Sequence, residues 1–532
     1  MGRLLLVLGL LGGLWGQQVP PGFGLGKALG TSTAFVPPDT LLSPGLASNG
    51  IVDIIAAGDS LLFFGTSRGL SLTTDLGASF LSYVDSLTDL PRGGISALNL
   101  VDSTVAVAGL VDTVISGMGE VMGAGLAFST DLGGTWTYVP QPQDPPGEEF
   151  TTFLWADSLA DQLAVTTTIR NVTFDVAISQ GTIWAASWAS GLRRYHMAAD
   201  TGWSTVALPL DGDSTMSCDS LPAGYVLNAR DPGDGGNHNH KAFSVMAYDS
   251  LVWVGTAAGL NKGIIDAVSG CITWTHFTAQ WHGLSGNWVV ALHRQVTAGS
   301  ERIWAATVNA EAAGELRGVS FTEDGGLTWR VTLLGERVNN FATSGDVVYA
   351  ATDNGLYKSL DARNWALFES AVDAITGEQV WAEKAWGALY DPRDGTLWIG
   401  TPDGLASTQG DGPPWRIDRS FVSTADSGEV PFYAYPNPFY LAEDNFRDGR
   451  GHVRFQYHVT PELEGRSARI AIFDFAMDPV IVLPARQHPM EGDFSQVWDG
   501  RNKAGHQVAN GVYYCRLKLG PREDWTKVMV IK

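Results

Sequence analysis

Asp231, Asp234, His238 and His240 crowd into the stretch Asp231-Pro232-Gly233-Asp234-Gly235-Gly236-Asn237-His238-Asn239-His240. In an extended chain the two histidines, one residue apart, would face the same side, and the carboxylates beside them add oxygen donors, so nitrogen and oxygen ligands for a metal stand close together. The spacing matches no established metal motif, and the plainer reading is a solvated loop between strands. A second chemical stretch is Trp281-His282-Gly283-Leu284-Ser285-Gly286-Asn287-Trp288. Trp281 and Trp288 could stack on a ligand, and His282 and Asn287 could hydrogen-bond it, if the loop lies at the mouth of a channel; otherwise it is a connector. No nucleophile elbow, zinc-protease helix or phosphate-cradling loop stands in a suitable context. No catalytic residue and no cofactor is expected. A glycosidase working with two carboxylates stays open, but the 56 Asp and Glu leave too many candidates to name a pair.

The elements that must position these residues are repeats. Leu397-Trp398-Ile399-Gly400-Thr401 runs on to Gly404-Leu405, Val252-Trp253-Val254-Gly255-Thr256 to Gly259-Leu260, Leu62-Phe63-Phe64-Gly65-Thr66 to Gly69-Leu70, and Val348-Tyr349-Ala350-Ala351-Thr352 to Gly355-Leu356. Each copy is an apolar strand with a small residue, a Thr, a turn, and Gly-Leu opening the next strand. Seven such units span about 51–420, each with four short strands and each unable to bury both faces alone. The expected fold class is therefore all-β: a seven-bladed β-propeller. The aromatic of the second strand is read as core packing, not as a sugar platform.

A second motif sits between the third and fourth strands. Ser129-Thr130-Asp131-Leu132-Gly133-Gly134-Thr135-Trp136 and Thr322-Glu323-Asp324-Gly325-Gly326-Leu327-Thr328-Trp329 are full copies. Thr73-Thr74-Asp75-Leu76-Gly77-Ala78-Ser79-Phe80 is a weaker one, and Ser359-Leu360-Asp361 to Trp365 is one residue short. Asp is expected to accept turn amides, Gly to take the positive φ, and the aromatic to pack back on its sheet. These residues resemble the Asp-box of BNR-repeat propellers such as sialidases and sortilin-like domains. In that family the motif lies on the blade periphery, so Asp75, Asp131, Trp136, Asp324, Trp329, Asp361 and Trp365 are structural by resemblance. The sialidase Arg-Ile-Pro element is absent, and no catalytic role is carried over. The W-x-G-T-x-x-G-L pattern is similar to the blades of periplasmic two-component-regulator propellers.

From about 430 to 532 alternating strands, about seven in a hundred residues, read as a β-sandwich of immunoglobulin-like class. Tyr435-Pro436-Asn437-Pro438-Phe439, Trp498-Asp499-Gly500, Gly505 and Asn510-Gly511-Val512-Tyr513-Tyr514 resemble the FlgD-like immunoglobulin domain and the type IX secretion C-terminal sorting domain. The resemblance implies export by a Gram-negative-type bacterium, with the type IX machinery as a partner. One departure is Phe473-Asp474-Phe475-Ala476-Met477-Asp478, whose turn lacks the family's glycine.

Charge and termini bound the function. The net charge of −22 argues against nucleic acid and anionic lipid surfaces as partners. Met1-Gly2-Arg3 followed by an apolar run to Leu14 reads as a signal peptide over 1–16, too short for a membrane span. Residues 17–50 read as a linker that can end in a closing strand. No transmembrane span is expected elsewhere. Of the three cysteines, Cys218 and Cys271 leave two readings open, a bridge between neighbouring repeats or free buried thiols. The expectation is a secreted or cell-surface binding or structural protein, more a non-enzyme than an enzyme, with a glycan or surface protein as ligand. The alternative is a secreted glycoside hydrolase or lyase acting on polysaccharide; a sensor ectodomain is disfavoured, since no membrane span or signalling segment follows the repeats.

Overall fold

The computed structural model describes residues 42–84, 88–115, 118–155, 158–167, 169, 171–199, 202–218, 221–308, 314–410, 412–420 and 432–532. The expected signal peptide, most of the expected linker and the first two residues of the expected C-terminal module lie outside the described residues. Two compact units share the chain. One runs through Phe368 and takes up Ala385–Gly400; the other holds Glu369–Lys384 and Thr401–Lys532. No helix among the described residues is long and apolar enough to cross a membrane.

The ring of the first unit is built of antiparallel sheets in which four successive strands follow one another outward in chain order. Its innermost strands are Ile51–Ala57, Gly94–Val101, Thr173–Ser179, Ala242–Tyr248, Trp288–Thr297, Val338–Ser344 and Gly387–Asp391. Each packs against the next, and Gly387–Asp391 packs against both Val338–Ser344 and Ile51–Ala57, so the seven close a ring. The architecture is a β-propeller. Among the described residues six sheets of the ring are complete within this unit, the seventh contributes its inner pair, Gly387–Asp391 with Thr396–Thr401, and a further three-stranded sheet joins Phe150–Trp155, Ser158–Leu163 and Val226–Leu227. Residues 42–44, at the end of the expected linker, form a strand on the outer edge of the first sheet, pairing with Leu81–Tyr83.

Second strands such as Leu61–Thr66, Thr182–Ser187 and Thr396–Thr401 are buried on both faces because neighbouring sheets stack on them. Trp253, Trp304 and Trp398 there are almost wholly buried, as core packing requires. The small residue beside the aromatic marks where the next inner strand crosses. A Cβ at Gly255 would meet the Val289 carbonyl oxygen at 2.4 Å, and one at Gly400 would meet that of Ile51 at 2.5 Å. The Thr that follows ties the turn: Thr256 Oγ1 donates to the Gly259 carbonyl at 3.0 Å and accepts from the Ala258 amide at 3.1 Å.

Cys218 and Cys271 form a disulfide with a Cα–Cα distance of 5.7 Å. The free-thiol reading is thereby set aside, and so is a bridge between repeats. Both cysteines flank strands of the fourth sheet, where Thr215–Ser217 adds a fifth strand beside Ile272–Phe277. The bond staples an added edge strand to its own sheet.

The second unit contains a two-sheet sandwich. One sheet is Phe432–Tyr435, Val453–Val459 and Gly492–Trp498; the other runs Phe439–Tyr440, Arg522–Ile531, Gly511–Leu519, Ser467–Phe473 and Pro479–Val482, with Arg486–Gln487 also on Ser467–Phe473. Phe439, Trp498 and Tyr513 share one core with Phe455, Ile470 and Val528. Gly500 sits so close that a Cβ would meet Leu441 Cδ2 at 2.1 Å. The turn that lacks a glycine is served by Met477 at φ 66° and by Asp474 Oδ1, which accepts the amides of Ala476 and Asp478 at 2.9 Å.

The division at Gly400 falls inside the seventh repeat, and an ion network explains which side each segment takes. Asp403 accepts from Arg454 Nε at 2.6 Å and from Arg419 Nη2 at 3.3 Å. Glu378 accepts from Arg486 Nη1 at 3.0 Å, Arg419 Nη1 at 3.2 Å and the Ser495 hydroxyl at 2.7 Å. Burial pushes the Asp403 carboxyl up, but Arg454 and Arg419 more than reverse this and hold it below the usual range. Buried carboxylates so enclosed by guanidiniums are costly to expose or to leave unpaired, and they bind 369–384 and 401–420 to the sandwich.

Candidate ligand-binding site

Residues 278–288 fold back on themselves before the fifth inner strand. Thr278 caps the short helix Ala279–His282 by accepting the Trp281 amide at 3.2 Å, and its own amide donates to His282 Nδ1 at 3.1 Å. Asn287 is buried and acts as a latch: its Oδ1 takes the Ala279 amide at 2.7 Å, and its Nδ2 donates to Glu315 Oε1 at 2.7 Å and Gln280 Oε1 at 3.0 Å. His282 packs edge-on against Phe277 at 5.2 Å, and burial followed by the neighbouring His276 lowers its pKa. His282 and Asn287 therefore hold the loop. Trp281 stands out from it, 57% exposed.

Trp288 belongs to a different group. Its ring meets Trp188 at 5.8 Å and Phe243 at 5.6 Å; Trp188 meets Phe243 at 5.3 Å, and Phe174 meets Phe243 at 5.7 Å. Phe243 is buried, whereas Phe174, Trp188 and Trp288 keep part of their surface open. Phe174, Phe243 and Trp288 lie at the starts of three successive inner strands, and Trp188 just past the end of Thr182–Ser187, so all four occupy one end of the ring. Bulges put them there: the register shifts between Thr173 and Asp175 and between Ala242 and Ser244, leaving Phe174 and Phe243 as the extra residues. Lys241 Nζ lies 4.9 Å from the centre of the Trp188 ring. Trp188, Phe243 and Phe174 were missed in the sequence because a bulge has no motif of its own; an aromatic at the first residues of an inner strand was the available signal.

The residues after the bulges close the ring from inside. Asp53 Oδ1 accepts the Ile54 amide at 2.9 Å and Asn340 Nδ2 at 3.1 Å. Asp175 accepts the Val176 amide at 2.8 Å and, across to the next inner strand, the Val245 amide at 2.9 Å. Both carboxylates are almost completely buried and bonded into backbone, a structural use of charge.

The Asp231–His240 stretch does not gather its four donors. Among the described residues no group of three or more His, Cys, Asp or Glu side chains is placed to hold a metal. His240 is buried; Nδ1 accepts the Asn228 amide at 2.9 Å and Nε2 lies 3.2 Å from the Leu208 carbonyl, which fixes the Nε2-protonated neutral ring. Burial pushes its pKa down to about 4. Asp231 pairs with Lys241 and, at 3.3 Å, with His238, and the Lys241 hydrogen bond holds it below the carboxylate range. Asp234 ends an exposed single turn, Pro232–Asp234. Short 3-10 turns over Pro232–Asp234 and His238–His240 replace the extended chain that would have aligned the histidines.

The turns built on Asp75, Asp131, Asp324 and Asp361 share one bonding scheme. In the fifth sheet Thr322 Oγ1 donates to Asp324 Oδ1 at 2.8 Å, while Asp324 takes the Thr328 amide at 2.8 Å and hydroxyl at 2.6 Å. Those bonds hold its pKa down at about 2. Asp75 with Ser79 and Asp131 with Thr135 repeat it, and in the shorter copy Asn364 takes the place of Ser or Thr on Asp361. Two expectations change. Leu76 and Leu132, as well as the glycines after them, take positive φ. The aromatics of the three later turns pack across a seam: Trp136 on Tyr83 at 5.6 Å, Trp329 on Phe277 at 5.7 Å and Trp365 on Trp304 at 6.2 Å, each a residue of the preceding sheet.

No family model and no curated protein matches the chain. Among solved structures it is similar to PorZ, a bacterial surface component of the type IX secretion system of Porphyromonas gingivalis, at 14% identity and a TM-score of 0.28, covering 91% of this chain and 82% of that one. It is similar to an ancestral GH74 enzyme at 12% identity and a TM-score of 0.42, covering 71% of this chain and 48% of the enzyme. It is similar to the WD40 beta propeller domain of Doa1 at 10% identity and a TM-score of 0.37, covering 72% and 97%. At such scores these likenesses add no weight to the fold and site derived above.

Proposed function

We propose that the protein is an exported, non-enzymatic binding protein that holds a glycan against Trp188, Phe243 and Trp288 at one end of the ring. The observation that carries this reading is the pair of partly open indoles, Trp188 and Trp288, set 5.8 Å apart on a buried Phe243. Flat apolar rings suit a sugar face, and the buried Lys241 ammonium, paired with Asp231, lies 4.9 Å from the Trp188 ring centre. An apolar side chain of a surface protein is the competing occupant. The test is a glycan array probed with the whole chain and with the Trp188→Ala/Trp288→Ala variant. Wild-type binding that falls about tenfold or more in the variant is expected, since a ring contact contributes about 0.5–1.5 kcal/mol beyond buried area and the variant loses two rings together with the area they bury. No glycan bound by the wild type, or equal binding by the variant, would sink the proposal.

The alternative, a glycoside hydrolase or lyase, needs two carboxylates about 5–10 Å apart and open to substrate. The burial of Asp53 and Asp175 and their commitment to backbone amides and to Asn340 weigh against it. Release of reducing or unsaturated ends in the same screen would favour the enzyme.

Export is part of the proposal. The 1–16 segment is its signal, and the Cys218–Cys271 bond suits an oxidising compartment. The residues that resemble FlgD-like and type IX sorting domains, Phe439, Trp498, Gly500 and Tyr513, pack as one group, which supports reading 430–532 as a sorting or attachment module that meets the secretion machinery. The Asp-box resemblance makes the ring a BNR-type propeller; the repeated bonding scheme of its turns supports that lineage.

A further inference from the structure

Away from the aromatic end of the ring, a cleft on its outer flank gathers three arginines in a chain whose net charge is −22. The cleft lies where the fifth and sixth sheets meet and has a volume of about 260 Å³. Phe321 and Glu323 come from the third strand of the fifth sheet and the turn after it, Arg330 from its outer strand, and Asp361 and Arg363 from the corresponding turn of the sixth.

The guanidiniums outnumber the carboxylates, and the carboxylates are already occupied. Arg302 lies over Trp304 and Phe321, 5.4 and 5.3 Å from their ring centres, and donates to Glu323 Oε1 through Nε at 3.1 Å and Nη2 at 2.5 Å. Arg330 Nη1 takes the other oxygen of Glu323 at 3.0 Å. One carboxylate thus answers two cations. Asp361 spends its oxygens on its own turn, accepting the amides of Arg363 and Asn364 at 2.9 and 2.7 Å and Asn364 Nδ2 at 2.7 Å. Arg330 and Arg363 are exposed and carry N–H groups beyond these bonds. A guanidinium presents paired donors that match the oxygens of a carboxylate or sulfate; Arg302, bonded through Nε and Nη2 to Glu323 and through Nη1 to Gln295 Oε1 at 3.2 Å, holds Glu323 in place and leaves Arg330 and Arg363 to meet the ligand.

We infer that this cleft binds the anionic group of an acidic oligosaccharide, a uronate carboxylate or a sulfate ester. The saccharide part rests on the glycan-binding reading; the anion part is drawn from the cleft alone. The volume admits one anionic group with part of the ring that carries it. Because the rest of the chain is strongly negative, the attraction is local and favours a short acidic segment over a long polyanion. The site gives the protein a preference for charged glycans that is separate from the indoles at the ring end.

Titration calorimetry of the full chain tests this with oligogalacturonate as the carboxylate arm, a sulfated galactan oligosaccharide as the sulfate arm, and the desulfated galactan as the neutral control. The variants are Arg330→Gln/Arg363→Gln and Arg330→Lys/Arg363→Lys. The wild type is expected to bind at least one acidic arm, more weakly as salt is raised, and the arm that binds identifies the source of the anion. The Gln pair is expected to weaken that binding about tenfold or more. The Lys pair, keeping charge but losing the fork, should fall between. Both pairs should leave binding of the neutral control and the urea unfolding midpoint unchanged. If neither acidic arm binds the wild type, or the Gln pair binds as tightly as the wild type, the inference is overturned. Loss of all binding in Trp188→Ala/Trp288→Ala, with the Arg pairs silent, would spare the glycan reading and remove this one.

Discussion

His238 and His240 are separated by one residue and face opposite surroundings. The first pairs with Asp231 at the surface; the second is enclosed with Tyr225 and the Leu208 carbonyl, with Asp211 nearby. Burial lowers the His240 pKa from about 6.5 to about 4. As pH falls below 6.5 the unfolded chain takes up a proton that the folded ring refuses, so stability drops through that window and the loss is complete near pH 4. The gap corresponds to roughly 3 kcal/mol. The His240→Gln variant should show a shallower fall in urea unfolding midpoint between pH 6.5 and 4 than the wild type; an equally steep fall would exclude His240 as the source. The type and spacing of these residues suggested donors, but the spacing had meaning only for an extended chain. The 3-10 turn at His238–His240 is set by contacts with Asp211, 28 residues back from Asn239, which no local pattern reveals.

Turns between the third and fourth strands are the elements that seal one sheet to the next. Gly326 and Gly325 are adjacent and both take positive φ, at 102° and 70°. They differ in what faces them. A Cβ at Gly326 would meet Phe277 Cζ of the preceding sheet at 2.6 Å, while one at Gly325 would meet only the end of the Lys262 side chain at 3.2 Å. Both alanine substitutions carry left-handed strain of about 1–2 kcal/mol, and Gly326→Ala adds overpacking of about 1–3 kcal/mol. Denaturant unfolding should therefore rank Gly326→Ala as the more damaging; equal costs would mean that the seam yields. The Ser/Thr-x-Asp-x-Gly spacing made the turn readable, since every bond in it is local. The role of the glycine against a neighbouring aromatic was not readable, because Phe277 lies 49 residues earlier in the chain.

At the scale of the whole molecule, the Cys218–Cys271 bond closes a 53-residue separation. Chain entropy assigns such a loop about 4 kcal/mol. Cys218→Ser/Cys271→Ser, or reduction of the wild type, should lower the unfolding midpoint of the first unit, while the Cys515→Ser change should not act through this loop. An unchanged midpoint after verified reduction would show that the added strand does not depend on its staple. The repeats in the chain were enough to specify an all-β ring of recurring sheets, because alternation, a small residue and a Gly turn are local demands that each unit states again; the fifth strands at Leu42–Pro44 and Thr215–Ser217 were not part of that pattern. Four matters depended on the folded chain: which aromatics meet at the ring end, that Asp53 and Asp175 are spent on backbone, that the pair Cys218 and Cys271 bridges within one sheet, and that Arg302, Arg330 and Arg363 share a cleft. Each depends on residues tens to hundreds of positions apart, brought together by ring closure and by bulges that shift register by one residue. Local sequence carries no record of such distances.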